Sequence, residues 1–446
     1  MLRLTLLLAA AVVLNDSWLD PYRAPASRII AEATATDDAW QRLALMTDTF
    51  GPRLSGSSGL DAAIRWAAGE MERDFDAVWL DPVKVPHWVR GSESLEIVSP
   101  HAGRLAMLGL GNSAGTGGAP IEAEVFVVQS FADLDANAAR ARGRIVLFNV
   151  PYTSYGETVQ YRGAGPSRAA AHGAVAALVR SVGLPGLRTP HTGSLRYAQG
   201  RPQIPAAAIA TEDADRLQRM QDRGTRVVLR LRMEARFLPE ADSANVVAEY
   251  RGREHPDEIV AIGCHIDSWD VGAGATDDGG GCIAMWEAVR VLRKLGLRPR
   301  RTIRVVFWTN EENGLRGGLA YRDKYREQLA KHVMMLESDS GVFRPIGFGF
   351  TGPDRGRALV TQIGSLLAPI GASAIGASGG GADIGPSVEA GDLPAMSLEV
   401  DGAKYFLIHH TEADTVDKIE PSDLARCVAA VAVMSYVVAD MPQTLK

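Results

Sequence analysis

Cysteine is scarce in this chain, with Cys264, Cys282 and Cys427 the only three in 446 residues and no CxxC pair among them. That excludes a disulfide framework and a thiolate zinc site, and leaves at most one disulfide. Past the first residues no apolar run is long enough to cross a bilayer, so no transmembrane anchor is expected. A basic run interleaved with aromatics is also missing, and the formal net charge is -6; nucleic acid is therefore not an expected partner. Nor is the composition that of a disordered chain, since 46% of residues are hydrophobic and 22% charged, an ordinary globular balance. A chain of 446 residues exceeds one hydrophobic core, which implies at least two domains or one domain carrying an insertion.

What is present begins with Met1 to Leu14, MLRLTLLLAAAVVL, one arginine followed by an apolar run of signal-peptide length. Export is the expectation, to a secreted or periplasmic location, although no small-x-small cleavage site precedes Asn15. A misassigned start or a plain apolar N-terminus is the competing reading. Asp37 to Met46 and Gly59 to Phe75 have helical periodicity and flank the turn-rich Gly51-Pro52-Arg53-Leu54-Ser55-Gly56. From Gly115 the texture changes to short β-branched runs, Ala123 to Val128 and Gly143 to Asn149, with a helical alanine-rich run over Ser167 to Val179 and a strand-like run over Thr225 to Met233. The expected organisation is a signal-like segment over 1–26, a first catalytic segment over 27–115, a β-rich insertion over 116–236 and a second catalytic segment over 237–446.

In that last segment strand-length apolar runs alternate with helical patterns: Ile259 to Gly263, Gly280 to Leu295, Thr302 to Trp308, Leu319 to Leu329 and Val333 to Leu336. Such alternation predicts an α/β fold with a mixed, largely parallel central sheet flanked by helices. In sheets of this kind functional groups collect outside the carboxyl ends of the strands. The residues at those ends are unusual. His265 and Asp267 follow the first strand, Asp277 and Asp278 sit in a glycine-rich turn before the helix, Glu311 and Glu312 follow the next strand, and Asp339 follows the third. His409, His410 and Asp414 come after a later apolar run, Met396 to Val400. Each group alone has an ordinary reading, as a surface pair or, for Asp277 and Asp278, as acids before a helix that satisfy free amides. As a set, carboxylates and imidazoles without thiolates suit zinc or a related ion in a catalytic role.

These motifs resemble metallopeptidase family 28. The resemblance rests on His265-Ile266-Asp267-Ser268-Trp269-Asp270-Val271-Gly272, the Thr276 to Gly281 turn, Asn310-Glu311-Glu312, Glu337-Ser338-Asp339 and His409-His410, and runs from about Asp38 to Thr415. It implies a zinc exopeptidase fold with an inserted protease-associated domain, two zinc ions per chain, short peptides as substrates, and homodimerisation. It places His265 and Asp339 on one ion, Glu312 and His410 on the other, Asp277 between them, and Glu311 as general base. By the same resemblance Asp267 orients His265, a second carboxylate role expected around metal-bound imidazole, Asp278 accompanies Asp277, and Asp414 supports His410. Many aminopeptidases of the family carry tyrosine immediately before the last ligand histidine, where this chain has His409; the oxyanion stabiliser is thus left among His409, Tyr405 and the metals.

The loop Ala377 to Asp383, with three consecutive glycines, is expected to line the substrate cleft, and Asp383 to hold a substrate α-amino group. Which peptide terminus is read stays open between aminopeptidase and dipeptidase or carboxypeptidase action. Two other functions fit the same fold: a receptor-like binding protein without chemistry, and an acyl transferase resembling glutaminyl cyclase with a single metal.

Overall fold

Two eight-stranded sheets organise residues 18–446, the part of the chain that the computed structural model describes. The apolar run at 1–14 lies outside the described residues. In the first sheet the four strands His255–His265, Arg301–Trp308, His332–Glu337 and Ala395–Val400 run parallel, with their neighbours in the order 301–308, 255–265, 332–337, 395–400. Antiparallel strands flank them: Arg236–Tyr250 and Ala77–Val89 on one side, Pro345–Thr351 on the other. The parallel strands are buried along nearly their whole length, which is why they read as unbroken apolar runs. Helices Asp20–Ala33, Asp38–Phe50, Ser58–Met71, Gly280–Lys294 and Pro421–Asp440 pack on one face. The other face is closed by Tyr321, Tyr325, Leu329, Ile384 and Leu393 around Trp308. Among the described residues Pro421–Asp440 is the one helix with the length and hydropathy of a membrane span, and 83% of that stretch is buried inside the fold.

The chain leaves the first sheet after Val89 and rejoins it at Arg236, where those two positions pair across the antiparallel ribbon. Between them lies the second sheet, in which Ile121–Val128, Ile145–Phe148, Ala176–Arg180 and Ala206–Ile209 run parallel. Its antiparallel edge is built from Val228–Met233, Glu93–Ser99 and Gly103–Arg104, with Met107–Gly109 at the opposite side. Residues 93–109 thus belong to the second sheet, upstream of the boundary at 116 expected from sequence. The Gly/Ala/Pro stretch at 114–120 that suggested that boundary is a loop within this unit. The unit is also less purely β than expected, because helices Tyr155–Ala171 and Thr211–Asp222 cover its parallel strands. The run Ser167 to Val179, read as one helix, splits in two. Its helix stops at Ala171, Gly173 takes a positive φ of 81°, and Ala176–Arg180 is a buried strand.

The two sheets meet beside the carboxyl ends of the first sheet's parallel strands. Leu54 and Trp269 from the first unit join the apolar core of the second. Gly111 lies so close to the Trp269 ring that any Cβ there would collide with it.

Candidate metal centre and active site

Four parallel strands deliver the polar groups. His265 is the last residue of its strand, and its ring is buried. Glu311 and Glu312 follow Trp308 in a tight turn, Asp339 follows Glu337 by two residues, and the short helix Tyr405–Ile408 after Val400 presents His409 and His410. The turn Ala275–Gly279 brings Asp277 into the middle of this group.

The two oxygens of Asp277 face different partners. Oδ1 lies 3.2 Å from His265 Nε2, which is also 3.2 Å from Asp339 Oδ1. Oδ2 lies 3.1 Å from His410 Nε2, which is also 3.1 Å from Glu312 Oε2. Donor atoms about 2.0–2.1 Å from a tetrahedral zinc stand about 3.3 Å from one another, so each His and carboxylate trio has the spacing of zinc ligands. Asp277 Oδ2 and Glu312 Oε1 are buried without a hydrogen-bond donor, an arrangement that a cation satisfies and an apolar core does not. Burial opposes ionisation of Asp277, but the adjoining His265 and His410 outweigh it and hold the carboxyl well below its usual range. Burial likewise disfavours charge on His265 and His410, yet the carboxylates against them raise both well above the usual histidine value. The donor set, its spacing and its negative charge therefore fit divalent metal. His265, Asp277, Glu312, Asp339 and His410 could hold it, and Asp278 and His409 belong to the same groups of potential ligands.

The supporting residues differ in part from the expected roles. His265 Nδ1 is 2.9 Å from the carbonyl oxygen of Asp267, whereas the Asp267 carboxylate stands 3.9 Å away. That carboxylate instead accepts from the backbone N–H groups of Glu311 at 3.0 Å and Glu312 at 3.3 Å. Asp267 thus orients the imidazole through its main chain and the glutamate turn through its side chain. Asp414, expected behind His410, accepts from Thr276 N at 2.7 Å, Thr276 Oγ1 at 2.8 Å and Asp277 N at 3.2 Å, and so holds the Asp277 turn. Asp278 accepts from His265 N and Gly281 N, joining the strand end to the helix start. The Cys264–Cys282 disulfide joins the same two elements.

Asp383 departs furthest from expectation. It is 1% exposed, and Ala382 rather than Asp383 lines the cavity. Burial and the nearby Glu337 and Glu311 push its carboxyl well above the usual range, so it is no anchor for a substrate amine. The loop turns inward because Glu337 accepts from the backbone N–H groups of Asp383 and Ile384.

Several residues at the site carry no motif-level signal. Arg53 is fully buried and donates to the carbonyls of Ile266, Gly51, Ala273 and Gly274 at 2.7–3.1 Å, binding the His265 strand end to the loop before Asp277. From the second unit, Thr192 O and Arg162 Nη1 each lie 3.4 Å from His410 Nδ1. A cavity of about 1040 Å³ opens above Asp277, Glu311, Glu312 and Asp339, and its walls include Tyr155, Arg162 and Arg196 of the second unit. His409 lines it too, stacked on His410 with ring centroids 3.5 Å apart.

Comparison with known proteins agrees with this geometry. The model of peptidase family M28 matches residues 245–435. Carboxypeptidase Q of Homo sapiens is 44% identical over 412 residues, covering 92% of this chain and 87% of that protein. The crystal structure of a peptidase M28 precursor from Shewanella amazonensis superposes with a TM-score of 0.92 at 35% identity, covering 97% of this chain and 99% of that one. A zinc aminopeptidase from Bacillus subtilis shares the fold, with a TM-score of 0.68 at 21% identity, 91% of this chain and 96% of its own being covered.

Proposed function

Because the chain belongs to peptidase family M28 and is a zinc metalloexopeptidase, we propose that it works with two zinc ions, one held by His265 and Asp339, the other by His410 and Glu312, with Asp277 shared between them. One observation carries this reading: the two oxygens of Asp277 point to two separate histidine and carboxylate pairs. Zinc held by these residues would acidify a water and polarise a peptide carbonyl.

The chain's own groups supply the rest. Glu311 lines the cavity beside Asp277 and Asp339 and acts as general base, taking the proton of the attacking water and giving it to the leaving amine. Burial raises its carboxyl well above the usual range; His265 opposes the rise, and Asp339 and Glu312 add to it. Asp267 fixes the turn that sends Glu312 toward His410 and leaves Glu311 at the cavity. His409, which lines the cavity stacked on His410, is the candidate to face negative charge developing on the carbonyl oxygen. The substrates are short peptides cleaved at a terminal bond. Export of the enzyme is supported by the Cys264–Cys282 disulfide, since such bonds persist mainly in oxidising compartments.

The test is Glu311→Gln. This variant is expected to keep its zinc and lose about 10²- to 10⁴-fold in peptide turnover. Turnover within a few-fold of the parent would remove Glu311 from the chemistry.

A further inference from the structure

A histidine that holds a metal needs both ring nitrogens placed, one toward the ion and the other, carrying hydrogen, on an acceptor that fixes the ring. His265 finds that acceptor two residues along its own chain, at Asp267 O. His410 does not. It takes a left-handed φ of 60°, a conformation that a residue other than glycine keeps only where its surroundings impose it. The groups that impose it come from the second unit. Thr192 N donates to His410 O at 2.9 Å, and Thr192 O lies 3.4 Å from His410 Nδ1. With Nε2 turned to Asp277 and Glu312, Nδ1 is the nitrogen left to carry hydrogen. Thr192 O accepts it, since the other neighbour, Arg162 Nη1, has only hydrogens to offer. Just upstream, His191 Nδ1 donates to His409 O at 2.8 Å and Leu184 N to Phe406 O at 2.9 Å. The clamp is itself fixed. His191 is 2% exposed and its N–H donates to Ser181 Oγ at 2.9 Å, a Cβ on Gly183 would collide with its ring, and the Thr192 hydroxyl donates to Gly109 O at 2.7 Å. The turn that carries Glu312 is touched from the same side, because Asn112 Nδ2 donates to Asn313 O at 3.3 Å. Among the described residues no hydrogen bond from the second unit reaches His265 or Asp339.

We propose that His191 and Thr192 are positioning residues for His410, so that the affinity for the zinc ion held by His410 and Glu312 depends on their contacts, whereas the ion held by His265 and Asp339 does not. The inference rests on the two-zinc reading above, and its test separates the two. His191 fixes the carbonyl of His409 and so the peptide from which His410 turns; Thr192 then holds His410 at both its main chain and its ring. Without them the backbone is free to leave the left-handed region and the imidazole to swing away from Glu312. Asp277, shared by the two ions, is held by Asp414 inside the first unit, so its oxygen toward His265 keeps its place when the clamp is weakened. The second unit therefore acts on one half of the metal centre without supplying a ligand.

The experiment titrates the metal-free full chain with zinc against a chromophoric chelator and reads each dissociation constant. The parent is compared with His191→Leu, which removes the donor, with His191→Asn, which keeps an N–H near the place of Nδ1, and with Asn112→Ala. His191→Leu is expected to weaken one ion at least about tenfold, the lower end of what losing a group behind a metal ligand costs, and to leave the other unchanged. His191→Asn is expected to recover most of that loss. Repeating His191→Leu on two backgrounds identifies the ion: the loss is expected on Asp339→Asn, which keeps the His410 side, and is expected to be absent on Glu312→Gln, which keeps the His265 side. Asn112→Ala, at a half-buried position, should weaken the same ion by less, and it decides by the same pattern should His191→Leu not fold. Equal weakening of both ions, weakening of neither, or no recovery in His191→Asn overturns the positioning role. One ion per parent chain removes the two-zinc reading itself; two ions that His191→Leu weakens alike leave that reading standing and remove only the clamp.

Discussion

The two sheets contribute opposite chemistry to one cavity. The first ends its parallel strands in acids and imidazoles, and its wall carries Asp277, Glu311, Glu312 and Asp339; the second lines the same space with Arg162, Arg196 and Tyr155. One wall is rich in carboxylates and the other carries guanidinium groups. Under the proposed function the first wall would generate the nucleophile and the second would face the substrate.

The largest effect should come from weakening the first region at its hidden cation. Arg53→Met would leave the carbonyls of Ile266, Ala273, Gly274 and Gly51 short of donors, and each buried polar group without a partner costs about 1–3 kcal/mol. A loss of several kcal/mol in urea unfolding is expected, together with weaker zinc retention. Unchanged stability would mean that water or neighbouring groups replace the guanidinium. Next comes the seam between the regions. Gly111→Ala forces a methyl into the Trp269 ring, and overpacking of this kind typically costs about 1–3 kcal/mol. The substitution should also change KM more than zinc content, because the seam sets the distance between the two walls; a change in zinc content alone would contradict that.

A third comparison takes one buried histidine in each region. Burial lowers His191 of the second unit and His332 of the first to about 4, from the ordinary 6.5. Between those values the unfolded chain binds protons that the folded chain refuses. Stability is therefore fully present above pH 6.5 and is lost as pH falls toward 4, by a few kcal/mol, since each tenfold difference in proton affinity between the folded and unfolded chain is worth about 1.4 kcal/mol. The urea midpoint at pH 4.5 relative to pH 7 should fall less in His191→Gln and His332→Gln than in the parent. A parent midpoint independent of pH over this window would show that neither histidine is held neutral.

How much of this could be read from sequence follows the same division. The parallel strands of the first sheet were legible because buried strands give unbroken apolar runs, and the acids and histidines at their ends share one address in such folds. The roles of Asp267 and Asp414 were not, because whether a carboxylate meets an imidazole or a backbone N–H depends on angstrom-scale turn geometry. Asp383 misled for a similar reason. Three glycines before it suggest an open loop, whereas Glu337 draws that backbone inward. In the second unit Arg162 is one of two arginines in an alanine-rich helix, and only the approach of Gly193 and His410 in space gives it meaning. The true start of that unit at Glu93 was hidden because its first strands are short and half exposed.

The most direct measurement of the central claim is zinc stoichiometry in the parent protein and in Asp277→Asn, determined at equal free zinc. Asp277 has one oxygen toward His265 and the other toward His410, so a residue shared by two ions should affect both when its charge is removed. The expected result is two zinc ions per parent chain and weakened binding of both in the variant, with peptide turnover lost. One ion per parent chain, or two retained at parental affinity in Asp277→Asn, would contradict the account.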